Sequence, residues 1–157
     1  MKIKTRITYS ALKLARELPK MISNYMENVG EDIVEDAKKR IDNTNYLNAG
    51  AKTTLSQRTI NQRKAGTLEG KPYGKAKYGD TPLKYTGKLY NTMKASSTGI
   101  NMEKYGWYHN IGKSTDKILR PKREFLDIEP QKGKKTKKIA GKATREFNLQ
   151  LKKNFEK

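Results

Sequence analysis

Cysteine is absent from this sequence of 157 residues, and histidine occurs once, as His109. Without cysteine the chain forms no disulfide, no thiolate zinc site and no cysteine nucleophile. A single histidine among aromatic residues is more typical of a packed or hydrogen-bonded side chain than of a metal ligand or a catalytic base. The composition agrees with a reducing compartment.

Long apolar runs are also missing. No stretch approaches the roughly 18 apolar residues of a membrane span, and residues 1–6 lack the apolar run of a signal peptide. We therefore expect a soluble protein that is synthesised in the cytoplasm and makes no contact with a membrane. Hydrophobic residues make up only 34% of the chain, which predicts a thin core that gains from partners covering more of it.

Acidic residues are few, with 16 Asp and Glu against 35 Lys and Arg, and the net charge is +19. The net charge is +2 over residues 1–50, +8 over 51–100 and +9 over 101–157. Such a field attracts nucleic acid or acidic protein surfaces. Lysine greatly outnumbers arginine, which favours solvated point charges over the bidentate contacts that read a DNA sequence.

The chain length suits a single domain, 1–157, and its clearest helical pattern lies near the N-terminus. Over residues 10–42 apolar side chains recur every three or four positions, which predicts an amphipathic helical region. Ser10 is placed to cap it, and Pro19 predicts a break between a short helix ending near Leu18 and a longer one. We interpret the stripe as a core-packing face; a coiled-coil seam is the alternative.

A second helix is predicted within residues 131–157. Apolar residues recur there at four-residue steps from Ile139 to Phe155, behind a strongly basic lead-in at 132–138. The lead-in is suited to DNA phosphates or an acidic partner, and a solvated face is the alternative. The lysines concerned are Lys132, Lys134, Lys135, Lys137 and Lys138.

Residues 43–82 hold few aliphatic residues, and we expect an extended loop or arm. Within it, residues 55–64 are compatible with a short helix capped by Ser56 or Thr54. The glycine-rich part, 66–80, interleaves lysine with tyrosine, which is a composition that stacks on bases or contacts phosphates. A solvated loop, or one that orders against a neighbouring subunit, is the alternative. The candidate contacts here are Lys71, Lys75 and Lys77.

Residues 83–130 are predicted to form a small antiparallel sheet. It follows a corner at Gly87, where glycine tolerates a positive φ, and its strands are expected at 88–98 and 100–111 with a hairpin turn at 96–99. An extended segment, 119–126, then delivers two apolar side chains to the core. The sequence thus predicts an α+β fold in which a long N-terminal helix and a C-terminal amphipathic helix pack on a small antiparallel sheet, with a long extended loop in the middle.

Four short motifs follow one another along residues 55–126: Leu-Ser, then Pro-Leu with Thr-Gly and Leu, then Tyr-His with Gly, and then Arg with Phe-Leu. Their order resembles that of the virion morphogenesis and tail-completion proteins of long-tailed bacteriophages. Thr92-Met93 departs from the Ser-Ile that the family often has, and the insertion at 66–80 is long. The motif residues are Leu55, Ser56, Pro82, Leu83, Thr86, Gly87, Leu89, Tyr108, His109, Gly112, Arg123, Phe125 and Leu126.

The resemblance implies a small α+β fold and a structural, non-enzymatic role at the head-tail junction of the virion. It implies a homo-oligomeric ring of about six or twelve copies, in contact with portal, neck or tail proteins and with the double-stranded DNA that passes through the channel. The implied protein is made in the host cytoplasm, and no catalytic, metal or cofactor site belongs to this role. The motif residues are expected to hold the fold.

Two other classes remain open. A basic nucleic-acid-binding protein of ribosomal or nucleoid type explains the charge but not the ordered motifs. A small enzyme such as a nuclease needs metal carboxylates and an imidazole base, for which only His109 is present. The available carboxylates show no metal-ligand spacing; they are Asp80, Glu103, Asp116, Glu124 and Asp127.

Overall fold

One long helix organises the chain. The computed structural model describes residues 2–48, 54–68, 71–72, 81–84, 86–112, 122–127 and 134–155. The α+β class predicted from the sequence is confirmed, because a long N-terminal helix and a C-terminal helix occur together with short antiparallel strands. In chain order the elements are α1 (Lys2–Asp42), α2 (Gln57–Ala65), β1 (Thr67–Leu68), β2 (Lys71–Pro72), α3 (Lys88–Thr92), β3 (Lys94–Ser96), β4 (Gly99–Asn101), α4 (Lys104–Ile111) and α5 (Lys134–Phe155).

The predicted break at Pro19 is wrong. α1 runs through the proline without interruption and begins at Lys2, so Ser10 lies inside the helix and does not cap it. Pro19 removes the backbone hydrogen bond to the carbonyl of Ala15, and its ring crowds that carbonyl. The residues on both sides are mostly strong helix formers, chiefly Leu, Lys, Arg and Glu, and they outweigh this cost.

The two long strands predicted at 88–98 and 100–111 are also wrong. Each breaks into a helix and a three-residue strand, and only the hairpin turn at 96–99 is confirmed, with Ala95 of β3 opposite Ile100 of β4. The apolar alternation read as a strand lies in α4. This helix ends where Gly112 takes φ 71° and donates its N–H to the carbonyl of Tyr108 at 3.0 Å, which is a left-handed glycine cap.

The short helix predicted at 55–64 is confirmed as α2. Ser56 is its N-cap, with the hydroxyl accepting the backbone N–H of Thr59 at 3.2 Å. The predicted corner is confirmed as well, since Gly87 takes φ 77° immediately before α3. β1 and β2 form a further antiparallel pair within the segment expected to be an extended arm; most of 66–80 lies outside the described residues.

The core lies against the C-terminal half of α1. The end of the core that is nearer the N-terminus of α1 lies at Gly30. There α1 and β3 approach so closely that a Cβ on residue 30 would lie 2.8 Å from the Cβ of Ala95. α5 packs on a different face of α1, where the Tyr25 ring lies 5.4 Å from that of Phe147 and its hydroxyl is 3.2 Å from that of Thr144. The buried cluster consists of Val34, Ala37, Ile41, Tyr46, Leu83, Leu89, Met93, Phe125 and Leu126.

Candidate interaction surfaces

Residues 122–127 form an extended strap between the end of α1 and the end of α4. The side-chain amide of Asn48 donates to the Lys122 carbonyl at 3.1 Å and accepts the Glu124 N–H at 2.8 Å. On the other side, the Arg123 N–H donates to the carbonyl of His109 at 2.8 Å. The backbone of the strap is thus hydrogen-bonded as in a strand, but two of these bonds come from the side chain of Asn48, where a sheet would have the backbone of a neighbouring strand.

Asn110 holds the end of the strap in the same way. This side chain is 1% exposed, donates to the Leu126 carbonyl at 3.0 Å and accepts the Leu126 N–H at 2.8 Å. Phe125 and Leu126 are fully buried as a result. The apolar plug expected from the sequence therefore reaches the core, and Asn110 satisfies the backbone polar groups that are buried with it.

The corner motif before α3 is likewise used to hold the fold. Leu83 and Leu89 are buried, and the Leu89 N–H donates to the hydroxyl of Tyr105 in α4 at 2.9 Å. The mostly buried guanidinium of Arg63 in α2 donates to the carbonyl of Thr81 at 3.0 Å, which ties α2 to the corner.

Sequence reasoning missed the polar residues that hold the strap and the corner. Asn48, Asn110 and Tyr105 each bond a backbone group far along the chain, and no local pattern marks such contacts. The one feature of the sequence that could have indicated a helix here is Gly112, because a glycine directly after an aromatic segment also suits the C-cap of a helix. A helix over 104–111 places Asn110 beside the strap, whereas the predicted strand does not.

Tyr46 and Arg123 form a buried polar pair beside the core. Burial raises the pKa of the Tyr46 phenol, and electrostatic attraction to Arg123 partly offsets the shift. Burial lowers the pKa of the Arg123 guanidinium, which Tyr46 partly offsets. The Tyr46 hydroxyl is buried without a hydrogen-bond partner in the described part of the chain, so it stands as a local cost to stability.

In the part of the chain that the structure describes, the carboxylates considered for an enzyme form no metal-binding cluster. Glu103 pairs with Lys88 and Glu124 with Lys122, each at 3.2 Å. Asp80 and Asp116 lie outside the described residues. Within the residues that the structure describes, no three His, Asp or Glu side chains come together in a way that holds a metal ion.

α5 presents a basic face to solvent, on the side away from Phe147 and Ala143. On a helix of 3.6 residues per turn, the six side chains that form this face, named below, project within a sector of about 100°. Glu146 lies at the edge of this sector, 3.9 Å from Lys142. The outward face of α5 consists of the exposed residues Lys138, Lys142, Arg145, Leu149, Lys152 and Lys153.

The lysines proposed as contacts from the sequence fall in three groups. Lys137 and Lys138 are exposed in α5, and Lys138 belongs to its outward face. Lys71 lies in β2, and Lys134 and Lys135 begin α5. The other three lie outside the described residues; they are Lys75, Lys77 and Lys132.

A second surface lies on α1 between residues 12 and 26, on the N-terminal side of Gly30. Leu12 is 65% exposed, and Ile22 and Met26 are each 46% exposed. Projected on an ideal helix, all three lie within about 80° of Gly30, so they continue the face that packs on the core. Two basic residues, Arg16 and Lys20, flank them and are exposed. We call these five residues the exposed stripe.

A groove lies between the C-terminal half of α1 and β3. Its floor is apolar and its rim is acidic on the α1 side. Lys38 and Lys94 also border it, and the Lys38 ammonium lies over the Tyr90 ring, 5.3 Å from the centroid. We call it the acidic groove; the floor is Val34, Met93 and Ala95, and the rim is Glu31, Asp32 and Glu35.

Comparisons with protein-family models, with curated proteins and with solved structures give no match. Among the described helices, none combines the length and the apolar composition that a bilayer crossing requires. Function is therefore inferred from the surfaces.

Proposed function

We propose that this protein is a structural component of a tailed bacteriophage virion, a tail-completion or joining protein that forms a ring in the neck between head and tail. The observation that carries the proposal is the exposed stripe. Among the described side chains of α1, the buried hydrophobic ones lie between Val34 and Ile41, whereas Leu12, Ile22 and Met26, on the N-terminal side of Gly30, are exposed to solvent. Exposed apolar side chains that share one face of a helix suit a surface that another subunit covers.

The residues that carry the resemblance to tail-completion proteins support the proposal in a second way. Leu83, Leu89, Phe125 and Leu126 are buried together, although they come from segments far apart in the chain. Their order in the sequence therefore has a structural reason, because the corner before α3 and the strap pack against the same part of α1.

The proposed location is the virion, after synthesis in the host cytoplasm, and the proposed partners are further copies of the chain and the adjacent portal, neck or tail proteins. The positive field of the chain suits the double-stranded DNA that passes through such a ring. No enzymatic step, metal or cofactor enters the proposed role.

Deleting the gene from the genome that encodes this chain tests the role. We expect filled heads and separate tails to accumulate in the deletion strain, and the full-length chain supplied in trans to restore joined particles. A deletion strain that releases normal, infectious particles would contradict the proposal.

A basic nucleic-acid-binding protein is the second candidate, and the outward face of α5 favours it. Five of its six residues are Lys or Arg, and they follow one another along a helix about 33 Å long. Such a face contacts phosphates without reading bases. Tight duplex binding with a steep salt dependence, by a protein that is absent from virions, would make this candidate the better account.

A further inference from the structure

We infer that the exposed stripe of one copy docks in the acidic groove of a second copy of this chain. The inference rests on the proposed ring and names the two surfaces that form its subunit contact. Both surfaces include residues of α1, but they lie at different heights along the helix: the exposed stripe spans residues 12–26, and the α1 side of the acidic groove spans residues 31–38. A contact between two different surfaces of the same chain propagates from copy to copy, as a ring requires.

The two surfaces both carry apolar side chains. The exposed stripe extends from Leu12 to Met26, which is about 21 Å of helix. Of the floor of the acidic groove, Val34 and Met93 are almost fully buried and Ala95 is partly exposed, so an apolar helix face that enters the groove contacts mainly Ala95. A helix that lays its apolar face in such a groove is a common mode of recognition.

The charges on the two surfaces are opposite. From residue 11 to residue 26, α1 carries Lys13, Arg16 and Lys20 and a single acidic residue, Glu17. Glu31 and Asp32 on the rim of the acidic groove form no ion pair with any residue that the structure describes. Arg16 and Lys20 of one copy therefore find uncompensated carboxylates on the next. This complementarity selects a second copy over an acidic partner protein, which the groove would repel.

The positively charged groove residues do not cancel this attraction. The Lys38 ammonium is directed to the ring of Tyr90, and the rim residue Glu35 is itself paired with Lys39 at 2.5 Å. Lys94 is exposed in β3 and free to turn away from an incoming basic helix. The carboxylates that remain available are those of Glu31 and Asp32.

Charge-reversal variants of the full chain test the docking, with association followed by native mass spectrometry and analytical ultracentrifugation. The stripe variant is Arg16→Glu with Lys20→Glu, and the groove variant is Glu31→Lys with Asp32→Lys. We expect each variant alone to associate at least about a hundredfold more weakly than the wild type, because like charges then face each other. Mixing the two variants restores association, because the reversed surfaces are complementary again.

The matched control is Lys152→Glu with Lys153→Glu, which makes the same charge change on the outward face of α5 and is expected to leave association unchanged.

The apolar side chains of the exposed stripe are tested separately. Ile22→Ser with Met26→Ser is expected to abolish association, whereas Leu149→Ser, at a leucine that is 66% exposed on α5, is expected to leave it unchanged. Circular dichroism verifies that every variant is folded; all the altered side chains are exposed or partly exposed.

The outcomes separate this inference from the proposed function. Association that is insensitive to both reversals, a mixture that stays dissociated, or a wild type that is monomeric up to its solubility limit would overturn the docking. Virion assembly would still be decided by the deletion strain. Rescue by mixing, in complexes that contain only two copies, would uphold the docking and contradict the ring.

Discussion

The side chain of Asn110 replaces a strand partner for the backbone of Leu126, accepting its N–H at 2.8 Å and donating to its carbonyl at 3.0 Å. The two residues are 16 positions apart, and Asn110 is almost completely buried. This pair closes the core, because it fixes the strap that carries Phe125 and Leu126 against α4. Losing the amide leaves two backbone groups without partners in a place that water does not reach.

Asn110→Ala is therefore expected to lower the free energy of unfolding by about 2 to 4 kcal/mol, measured by chemical denaturation. Asn48→Ala is the matched control, since Asn48 also makes two hydrogen bonds to the strap but is only partly buried. Water replaces its contacts, so the expected loss is about 1 kcal/mol. Equal losses at the two positions would show that burial of Asn110 is not what makes it important.

Two helix glycines give opposite predictions for the same substitution. A Cβ at Gly106 in α4 would lie 2.4 Å from Cδ1 of Leu89, whereas a Cβ at Gly141 in α5 meets nothing within 4 Å. Gly106→Ala should destabilise the protein by about 1 to 3 kcal/mol through overpacking of the core. Gly141→Ala should stabilise it by about 0.5 to 1 kcal/mol, because alanine favours a helix. Thermal unfolding followed by circular dichroism measures both, and a stabilising Gly106→Ala would disprove the close contact.

Tyr46 and Tyr105 give a matched pair of hydroxyl deletions. The Tyr46 hydroxyl is buried with no partner in the described part of the chain, so Tyr46→Phe is expected to be neutral or to stabilise by up to about 1 kcal/mol. The Tyr105 hydroxyl accepts the Leu89 N–H, so Tyr105→Phe should cost about 1 to 2 kcal/mol. Urea unfolding at neutral pH measures both; a destabilising Tyr46→Phe would reveal a hydrogen bond to the hydroxyl.

The raised pKa of Tyr46 also predicts a pH dependence. Below about pH 10 the phenol is protonated in both the folded and the unfolded chain. Above that value the unfolded chain loses its proton first, so stability falls as the pH rises. Tyr46→Phe should therefore flatten the alkaline part of the curve of unfolding free energy against pH. An unchanged alkaline slope would contradict the burial of this phenol.

The outward face of α5 predicts how the chain binds duplex DNA. Replacing Lys138, Arg145 and Lys152 by Gln should lower the slope of log affinity against log salt by about 1 for each residue that contacts a phosphate. The control is the same replacement at Arg58, Lys64 and Lys94, which are exposed elsewhere. Fluorescence anisotropy over a range of salt concentrations measures both. Equal effects would show that net charge, and not this face, attracts the DNA.

The sequence predicted those features that depend on local chemistry. The spacing of apolar residues located α1 and α5, Ser56 marked the start of α2, and Gly87 marked the corner before α3. The prediction of a strand at 100–111 is wrong, because the aromatic residues there alternate as in a strand but most of the segment forms a helix. The helix is favoured by contacts that no local pattern records, such as Gly106 against Leu89.

The candidate surfaces were predictable in part. The basic lead-in at 132–138 indicated a charged helix, but the outward face of α5 continues to Lys153 and includes Arg145. The apolar positions of the helical region at 10–42 are predicted to pack in the core along the whole region, but Ile22 and Met26 are each 46% exposed. The prediction fails there because the apolar spacing does not change where the core ends near Gly30. Only the position of β3 beside α1 shows which turns are covered and which present apolar side chains to solvent.

Quantitative mass spectrometry of purified particles, produced from the genome that encodes this chain, tests the central claim most directly. If the protein is a ring component of the neck, it is recovered in intact virions at a fixed low copy number, about six or twelve per particle, and imaging places it between head and tail. If it is absent from particles and is recovered instead with cellular DNA or RNA, the neck role is contradicted and the basic nucleic-acid-binding protein becomes the account to test.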